Sequence, residues 1–265
     1  MLELRDIWMT FNRGSALAVP ALRGVDLSVR AGEFVSVIGT NGAGKSTLLS
    51  VVAGDAVPEA GRVLIDGADV TRRPTQQRAG MIGRVFQDPR VGTCESLTIE
   101  ENLALAASRC RRRGLRRALG DAAQRRRFVD RIAGLGLGLE DRLGARVGTL
   151  SGGQRQAISL LMATLLPMKL LLLDEHTAAL DPRAARLVLD LASDIAAEQR
   201  LTVLMVTHSM KQSIEHGDRT IMMSDGRIVL DVSGPERRRY GVADLLTLFE
   251  SARGGTVDDD ALLLG

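Results

Sequence analysis

Lysine is nearly missing from this chain of 265 residues. Of 35 basic residues only Lys45, Lys169 and Lys211 are lysine, and the other 32 are arginine. Arginine serves wherever a generic positive charge will do, so a lysine hints at a place where a planar guanidinium does not fit. Cysteine is scarcer still. Cys94 and Cys110 stand in unrelated contexts, so neither a disulfide framework nor a cysteine metal site is indicated. A membrane span of about 20 mostly apolar residues is also lacking. The most apolar tract, Ala157 to Leu173, contains Ser159, Thr164, Pro167 and Lys169. It reads as a buried helix, a turn and a buried strand. The opening MLELRDIWMT carries Glu3 and Asp6 where a signal peptide would have an apolar run. The chain is therefore expected to be soluble or peripheral. No internal repeat and no heptad run is found, and the net charge of +3 does not decide between partners.

What is present is a 45% hydrophobic chain, enough for one large domain or a domain with a lobe. The first third reads as short strands: Leu2 to Phe11, Val25 to Val29, Phe34 to Ile38 and Arg62 to Asp66, with Gly32 and Gly67 as punctuation. A helix is expected over Thr47 to Ala53, ended by Gly54, and another strand over Ile82 to Phe86. From Thr98 to about Gly148 the pattern turns helical and Arg-rich, opened by a Thr98–Glu101 capping box. After Leu150 strands and helices alternate. Leu170 to Leu173 is a strand, Pro182 to Gln199 a helix and Thr202 to Thr207 a strand. Arg219 to Ser224 and Gly226 to Val232 form a hairpin turned at Asp225-Gly226. Val242 to Phe249 is amphipathic, and Asp258 to Asp260 form an acidic end. This alternation predicts a largely parallel α/β sheet with helices on both faces, the middle block being a helical insertion.

Chemistry concentrates in a few places. GTNGAGKST, Gly39 to Thr47, follows an apolar strand and opens a helix. It matches the phosphate-loop pattern at Gly39, Gly44, Lys45 and Ser46. The glycines let backbone N–H groups turn inward, the helix start adds partial positive charge, Lys45 reaches terminal phosphates and Ser46 offers a hydroxyl to Mg²⁺. Asp174 and Glu175 end a leucine strand, His208 follows another, and Gln87 follows a third. If these strands are parallel, all four lie on the ligand-binding edge. Asp174 would then serve Mg²⁺ and Glu175 would deprotonate an attacking water. Asp181 before Pro182 also suits a helix N-cap. Finally, LSGGQ, Leu150 to Gln154, opens a long apolar helix. Ser151 and Gln154 form a capping box, but Gly152 and Gly153 weaken a first turn by about 1 kcal/mol each. Glycines there suit a close approach to the backbone and a second anion site.

These motifs together resemble the nucleotide-binding subunit of an ABC transporter. GTNGAGKST resembles the Walker A loop, Gln87 the Q-loop glutamine and LSGGQ the family signature. LLLLDE resembles the Walker B strand with its catalytic glutamate, AALD (Ala178 to Asp181) the D-loop and His208 the switch histidine. The resemblance implies a P-loop NTPase (RecA-like) core with an N-terminal antiparallel β subdomain and an inserted α-helical subdomain. The cassette would span residues 1–232, the helical subdomain about 88–148, and residues 233–265 would be a C-terminal extension. It implies ATP and Mg²⁺ as ligands. The ATP contacts would come from Phe11 against adenine, from Gly39, Thr40, Asn41, Gly42, Ala43, Gly44, Lys45, Ser46 and Thr47, and from Gln87, Ser151, Gly152, Gly153, Gln154 and Asp181. Mg²⁺ would sit at Ser46, Gln87 and Asp174, and catalysis would fall to Glu175, His208 and Lys45. A core phenylalanine is the other reading of Phe11. The partners implied are a second copy arranged head to tail, an integral membrane permease and a solute-binding protein, at the cytoplasmic face of the inner membrane.

His176 departs from the family, which usually has proline there. DEHTAALDP with GTCESLTIEENLALA looks like a bacterial importer subgroup whose permeases resemble those for branched-chain amino acids, which implies amino-acid import. The rival is a soluble ABC-type ATPase acting on DNA or ribosomes. A simple P-loop kinase or GTPase lacks LSGGQ. The arginine block from Ser108 to Phe128 has three readings: nucleic acid, anionic lipid headgroups, or a solvated helix face. Aromatic residues for stacking bases are almost absent there, with only Phe128 nearby, so nucleic acid is not an expected partner.

Overall fold

The computed structural model describes residues 1–110 and 122–253. Residues 1–78 supply strands β1 (Leu2–Phe11), β2 (Val19–Val29) and β3 (Phe34–Gly39), helix α1 (Lys45–Ala53), strands β4 (Ala60–Ile65) and β5 (Ala68–Asp69), and the single turn α2 (Thr75–Arg78). Residues 79–199 supply β6 (Ile82–Val85), α3 (Pro89–Gly92), α4 (Ile99–Ala107), α5 (Ala122–Ala133), α6 (Gly152–Thr164), β7 (Leu170–Asp174) and α7 (Pro182–Gln199). From Arg200 onward come β8 (Thr202–Val206), α8 (Met210–His216), β9 (Arg219–Ser224), β10 (Arg227–Ser233), α9 (Gly234–Arg237) and α10 (Val242–Arg253). The first and last groups form one compact unit and residues 79–199 a second.

The first unit holds two sheets. One is antiparallel in the order β2-β1-β4-β5. In the other, β3 lies between β8 and β9 and is parallel to both, while β10 runs antiparallel to β9. All six residues of β3 are buried. A strand apolar on both faces is what a parallel sheet covered by helices needs. Several bounds differ from expectation by a few residues. β2 begins at Val19 rather than Val25, because the whole length of β1 pairs with it, down to Phe11 opposite Val19. Shifts in register and a left-handed Gly24 (φ 68°) absorb the irregularity. α1 begins at Lys45 rather than Thr47, with Gly44 as its left-handed cap.

The tail is part of this unit. Leu245 and Phe249 of α10 are buried in one cluster with Ile38, Met210, Met222 and Val232. The acidic stretch Asp258–Asp260 lies outside the described residues, as do residues 111–121 of the arginine block.

In the second unit β6 and β7 are parallel. Leu170 to Leu173 have no exposed surface at all, each worth roughly 2 kcal/mol of burial. The helical part closes over Ile99, Leu103, Phe128, Ile132, Leu139 and Leu143, against Ile158 and Leu161 of α6. The Thr98 capping box forms: Glu101 accepts from the Thr98 N–H at 2.7 Å, and Thr98 Oγ1 accepts from the Glu101 N–H at 3.2 Å. The Thr98 hydrogen bonds hold the Glu101 carboxyl below its usual range. The apolar tract Ala157–Leu173 is split between α6 and β7, and no described helix is long and apolar enough to cross a membrane.

One buried arginine secures α1 from behind. The Arg78 side chain has no exposed surface. It donates to the Val51 and Val52 carbonyls at 2.8 and 2.6 Å, and to Arg73 O and Thr71 O at 2.7 and 3.1 Å. Val51 and Val52 belong to the last turn of α1, whose carbonyls have no partner within the helix. A cation there also suits the helix dipole. Burial pushes the guanidinium below its usual pKa. Gly54 is demanded by the same contact, since a β-carbon would stand 2.7 Å from Arg78 Nε. Arg78→Met should cost about 3 kcal/mol, because two buried and two part-buried carbonyls lose their donor. Urea unfolding should show a lower midpoint at unchanged slope; an unchanged midpoint would mean that other donors reach those carbonyls.

Candidate functional site

Residues 39–47 join β3 to α1, and their path is set by places where side chains do not fit. Gly39 has φ 152°, and a β-carbon on it would lie 2.2 Å from the Met223 carbonyl oxygen. Gly44 has φ 99°, and its β-carbon would lie 2.4 Å from the Ala21 carbonyl oxygen. Gly42 is restricted by conformation alone, at φ 77°. The loop is also latched to the β9–β10 turn, where the Gly226 N–H donates to Ala43 O at 3.1 Å. Because the cap of α1 is glycine, no side chain accepts from its first turn, and no acid lies in that turn. That helix start therefore faces outward as a partial positive charge. Lys45 is only 6% exposed, and its ammonium donates to Gly39 O at 2.7 Å and Thr40 O at 3.1 Å. Asn41, Gly42 and Ser46 are exposed, Ala43 is buried, and Thr40 and Thr47 are half-buried.

His208 emerges beside this loop. β8 is parallel to β3 with Val206 opposite Val37, so His208 and Gly39 leave the same end of the sheet. The histidine is half-buried between two tethered neighbours. Thr207 Oγ1 donates to Gln212 Oε1 at 2.7 Å, and Ser209 Oγ accepts from the Gln212 N–H at 3.2 Å. Phe11, at the end of β1, is 43% exposed, so it is not a core phenylalanine.

The second unit carries the acids. With Val85 opposite Leu173, Gln87 and the pair Asp174–Glu175 leave the same end of their strands. Gln87 is exposed. The carbonyl just before it, Phe86 O, accepts from Gln156 Nε2 at 2.9 Å, and Gln156 is a fully buried residue of α6. Asp174 is paired with Arg84, Nη2 to Oδ2 at 2.6 Å, both side chains 14% exposed. Arg84 also lies 4.7 Å from the centre of the Phe86 ring. Glu175 has φ 43°, a left-handed backbone that costs a non-glycine residue about 1 kcal/mol or more. The turn is closed by the Ala178 N–H donating to Glu175 O at 2.9 Å. His176 is buried at 2% exposure. Asp181 caps α7, accepting from the Arg183 and Ala184 N–H groups at 3.1 and 3.0 Å.

At the start of α6 the capping box of Ser151 and Gln154 is formed, at 3.3 and 3.2 Å. The Gly153 position has a cause that the sequence did not reveal. A β-carbon there would meet Ala184 Cβ of α7 at 2.8 Å, so the glycine admits a neighbouring helix of the same unit. Gly152 is exposed, and a β-carbon there would lie 3.3 Å from Leu180 Cδ2. Arg84 and Gln156 were missed in the sequence. A charge inside the short apolar strand Ile82–Val85 is the one signal that points to Arg84, whereas Gln156 has none.

Chemically, the first unit offers a backbone cradle with a helix start and an ammonium, suited to a polyphosphate. The second offers two carboxylates at a strained strand end. Among the described residues no three metal-ligating side chains gather. Ser46 in the first unit and Asp174 in the second each present a hard oxygen donor.

The family model for ABC transporters matches residues 22–178. The tyrosine transport ATP-binding protein of Clostridioides difficile is 38% identical over 252 residues, 95% of this chain and 100% of that one. The thiamine import ATP-binding protein of Salmonella choleraesuis is 38% identical over 202 residues, 76% of this chain and 80% of that one. Among solved structures, a dimeric ATP-binding cassette in a post-hydrolysis state bound to ADP and Pi is similar at TM-score 0.75 and 28% identity, covering 88% of this chain and 98% of that one.

The Arg84–Asp174 pair is measurable. In a double-mutant cycle with Arg84→Met and Asp174→Asn, the coupling should be about 2 kcal/mol by urea unfolding, because each single change strands a largely buried group. Additive losses would mean the two side chains do not stabilise one another.

Proposed function

Because the chain belongs to the ABC transporter family, as one of its ATPase cassettes, we propose that it hydrolyses ATP where two copies meet head to tail and so drives a solute through a separate membrane permease. The observation that carries this reading is the phosphate cradle: a glycine-capped helix start, two glycines with no room for a β-carbon, and a buried lysine across the turn. In this account the amides of Gly39 to Thr47 and Lys45 hold the β- and γ-phosphates, and Phe11 stacks on adenine. The signature turn, Ser151 to Gln154, of the other copy faces the γ-phosphate, with Asp181 at the junction. Glu175 takes a proton from water as that water attacks phosphorus, ADP leaves, and His208 donates to the γ-phosphate oxygens as charge builds on them. Ser46, Asp174 and Gln87 are the groups that would hold Mg²⁺, which neutralises phosphate charge when bound. Gln87 links the site to the permease contact, made by the helical part.

Amino-acid import is the cargo class favoured, on the strength of the tyrosine transport relative matched over nearly the full length of both chains. A solute-binding protein would deliver that cargo. The place of work is then the cytoplasmic face of the inner membrane, peripherally attached.

Glu175→Gln should bind ATP with Mg²⁺ but turn over at least about a hundredfold more slowly, and should collect as a dimer on gel filtration with ATP. Near-normal turnover would remove Glu175 as the base. Lys45→Ala should lose tight ATP binding by calorimetry. Mixed with Ser151→Arg it should regain bound ATP at one site per heterodimer; no regain at any ratio would count against sites shared between copies.

A further inference from the structure

His208 lies two residues ahead of a very short helix. α8, Met210–His216, has seven residues, and helices shorter than about 12 residues are marginal on their own in water. What holds α8 therefore holds His208. At its start the ties are local: Ser209 caps the helix, and Thr207 and Ser209 both bond Gln212. Met210 also packs against Ile38 of β3 and Met222 of β9, and further ties come from beyond the last strand. Arg237, 6% exposed, donates through Nη2 to the Ser213 and Ile214 carbonyls, the latter at 2.8 Å. Its Nε donates to Thr220 Oγ1 at 3.2 Å, and that hydroxyl lies 2.9 Å from Ser213 Oγ. Burial pushes the guanidinium below its usual pKa, so its charge is kept inside at a cost that the carbonyls offset. At the other end of α8, Met210 is 1% exposed in the cluster with Leu245 and Phe249. One segment, 233–253, thus grips both ends of the helix that follows His208.

We propose that this segment is the seat of the His208 loop and that Arg237 is a positioning residue for His208, setting its approach to the γ-phosphate through α8. The proposal rests on the reading of His208 as a γ-phosphate donor. It gives residues 233–253 a part in turnover rather than in binding.

The test uses the purified full chain. Arg237→Met should lower kcat by about tenfold while KM for ATP stays within about twofold, since alignment rather than binding is lost. Arg237→Lys, which keeps the charge and part of the bonding, should recover much of that rate. The chain has three histidines, His176, His208 and His216, so histidine-labelled NMR reports directly. The His208 resonance should move in Arg237→Met while that of His176 stays. In a His208→Ala background Arg237→Met should bring no further loss. A normal kcat in Arg237→Met, an equal loss in kcat and ATP affinity, or a loss undiminished without His208 would overturn the proposal. If Arg237→Met does not fold, the same split is read from Arg237→Gln, which keeps only part of the donation. Should His208→Ala itself hydrolyse ATP normally, the histidine reading falls and the proposal with it; if His208→Ala is impaired and Arg237→Met is not, the proposal alone falls.

Discussion

The first unit turns on two places where no β-carbon can exist. The Gly39 contact with Met223 O and the Gly44 contact with Ala21 O press the strand-to-helix turn against backbone that belongs to other strands. With both ends pinned, the loop presents Asn41 and Gly42 to solvent, and the helix start behind them is left without a side-chain cap. The consequences run in order. An uncapped helix start favours anions, the loop supplies amides to meet them, and Lys45 finds carbonyl partners on that same loop. The Gly226–Ala43 bond extends the constraint to the β9–β10 hairpin.

A second theme is how this chain uses arginine. Arg78 and Arg237 each lie buried against the last carbonyls of a helix, and at the other end of those helices stand Lys45 and, two residues ahead, His208. The planar fork reaches two carbonyls at once, and its charge matches the helix dipole. Arg84 works differently, as the counter-ion of Asp174. The shortage of lysine seen in the sequence therefore has a structural counterpart in these sites, which need several fixed donors from one side chain.

Much of this could be read in advance, for physical reasons. Periodicity located α7 and β9 at their observed bounds, because Pro182 and the Asp225-Gly226 turn leave little choice. The capping boxes at Thr98 and Ser151 were legible because they are local. The phosphate-loop and Asp174–Glu175 positions were legible because motif and strand context agree. What escaped depends on neighbours distant in sequence. β2 starts early because β1 is long enough to pair with it, which Pro20 and Gly24 conceal. Gly153 is set by Ala184, 31 positions away in the chain. The tail's grip on α8 cannot be seen from its composition, since Arg237 is one of three consecutive arginines and only it is buried.

The twist at Glu175 has an evolutionary edge. Its backbone sits where glycine is comfortable and glutamate is not. Relaxation at that position is open to the chain by exchanging the acid for asparagine or glycine, which tolerate the left-handed region. Under the role proposed for Glu175, a lineage released from that duty would be drawn by its own thermodynamics to shed this carboxylate early, leaving a robust protein without a working engine.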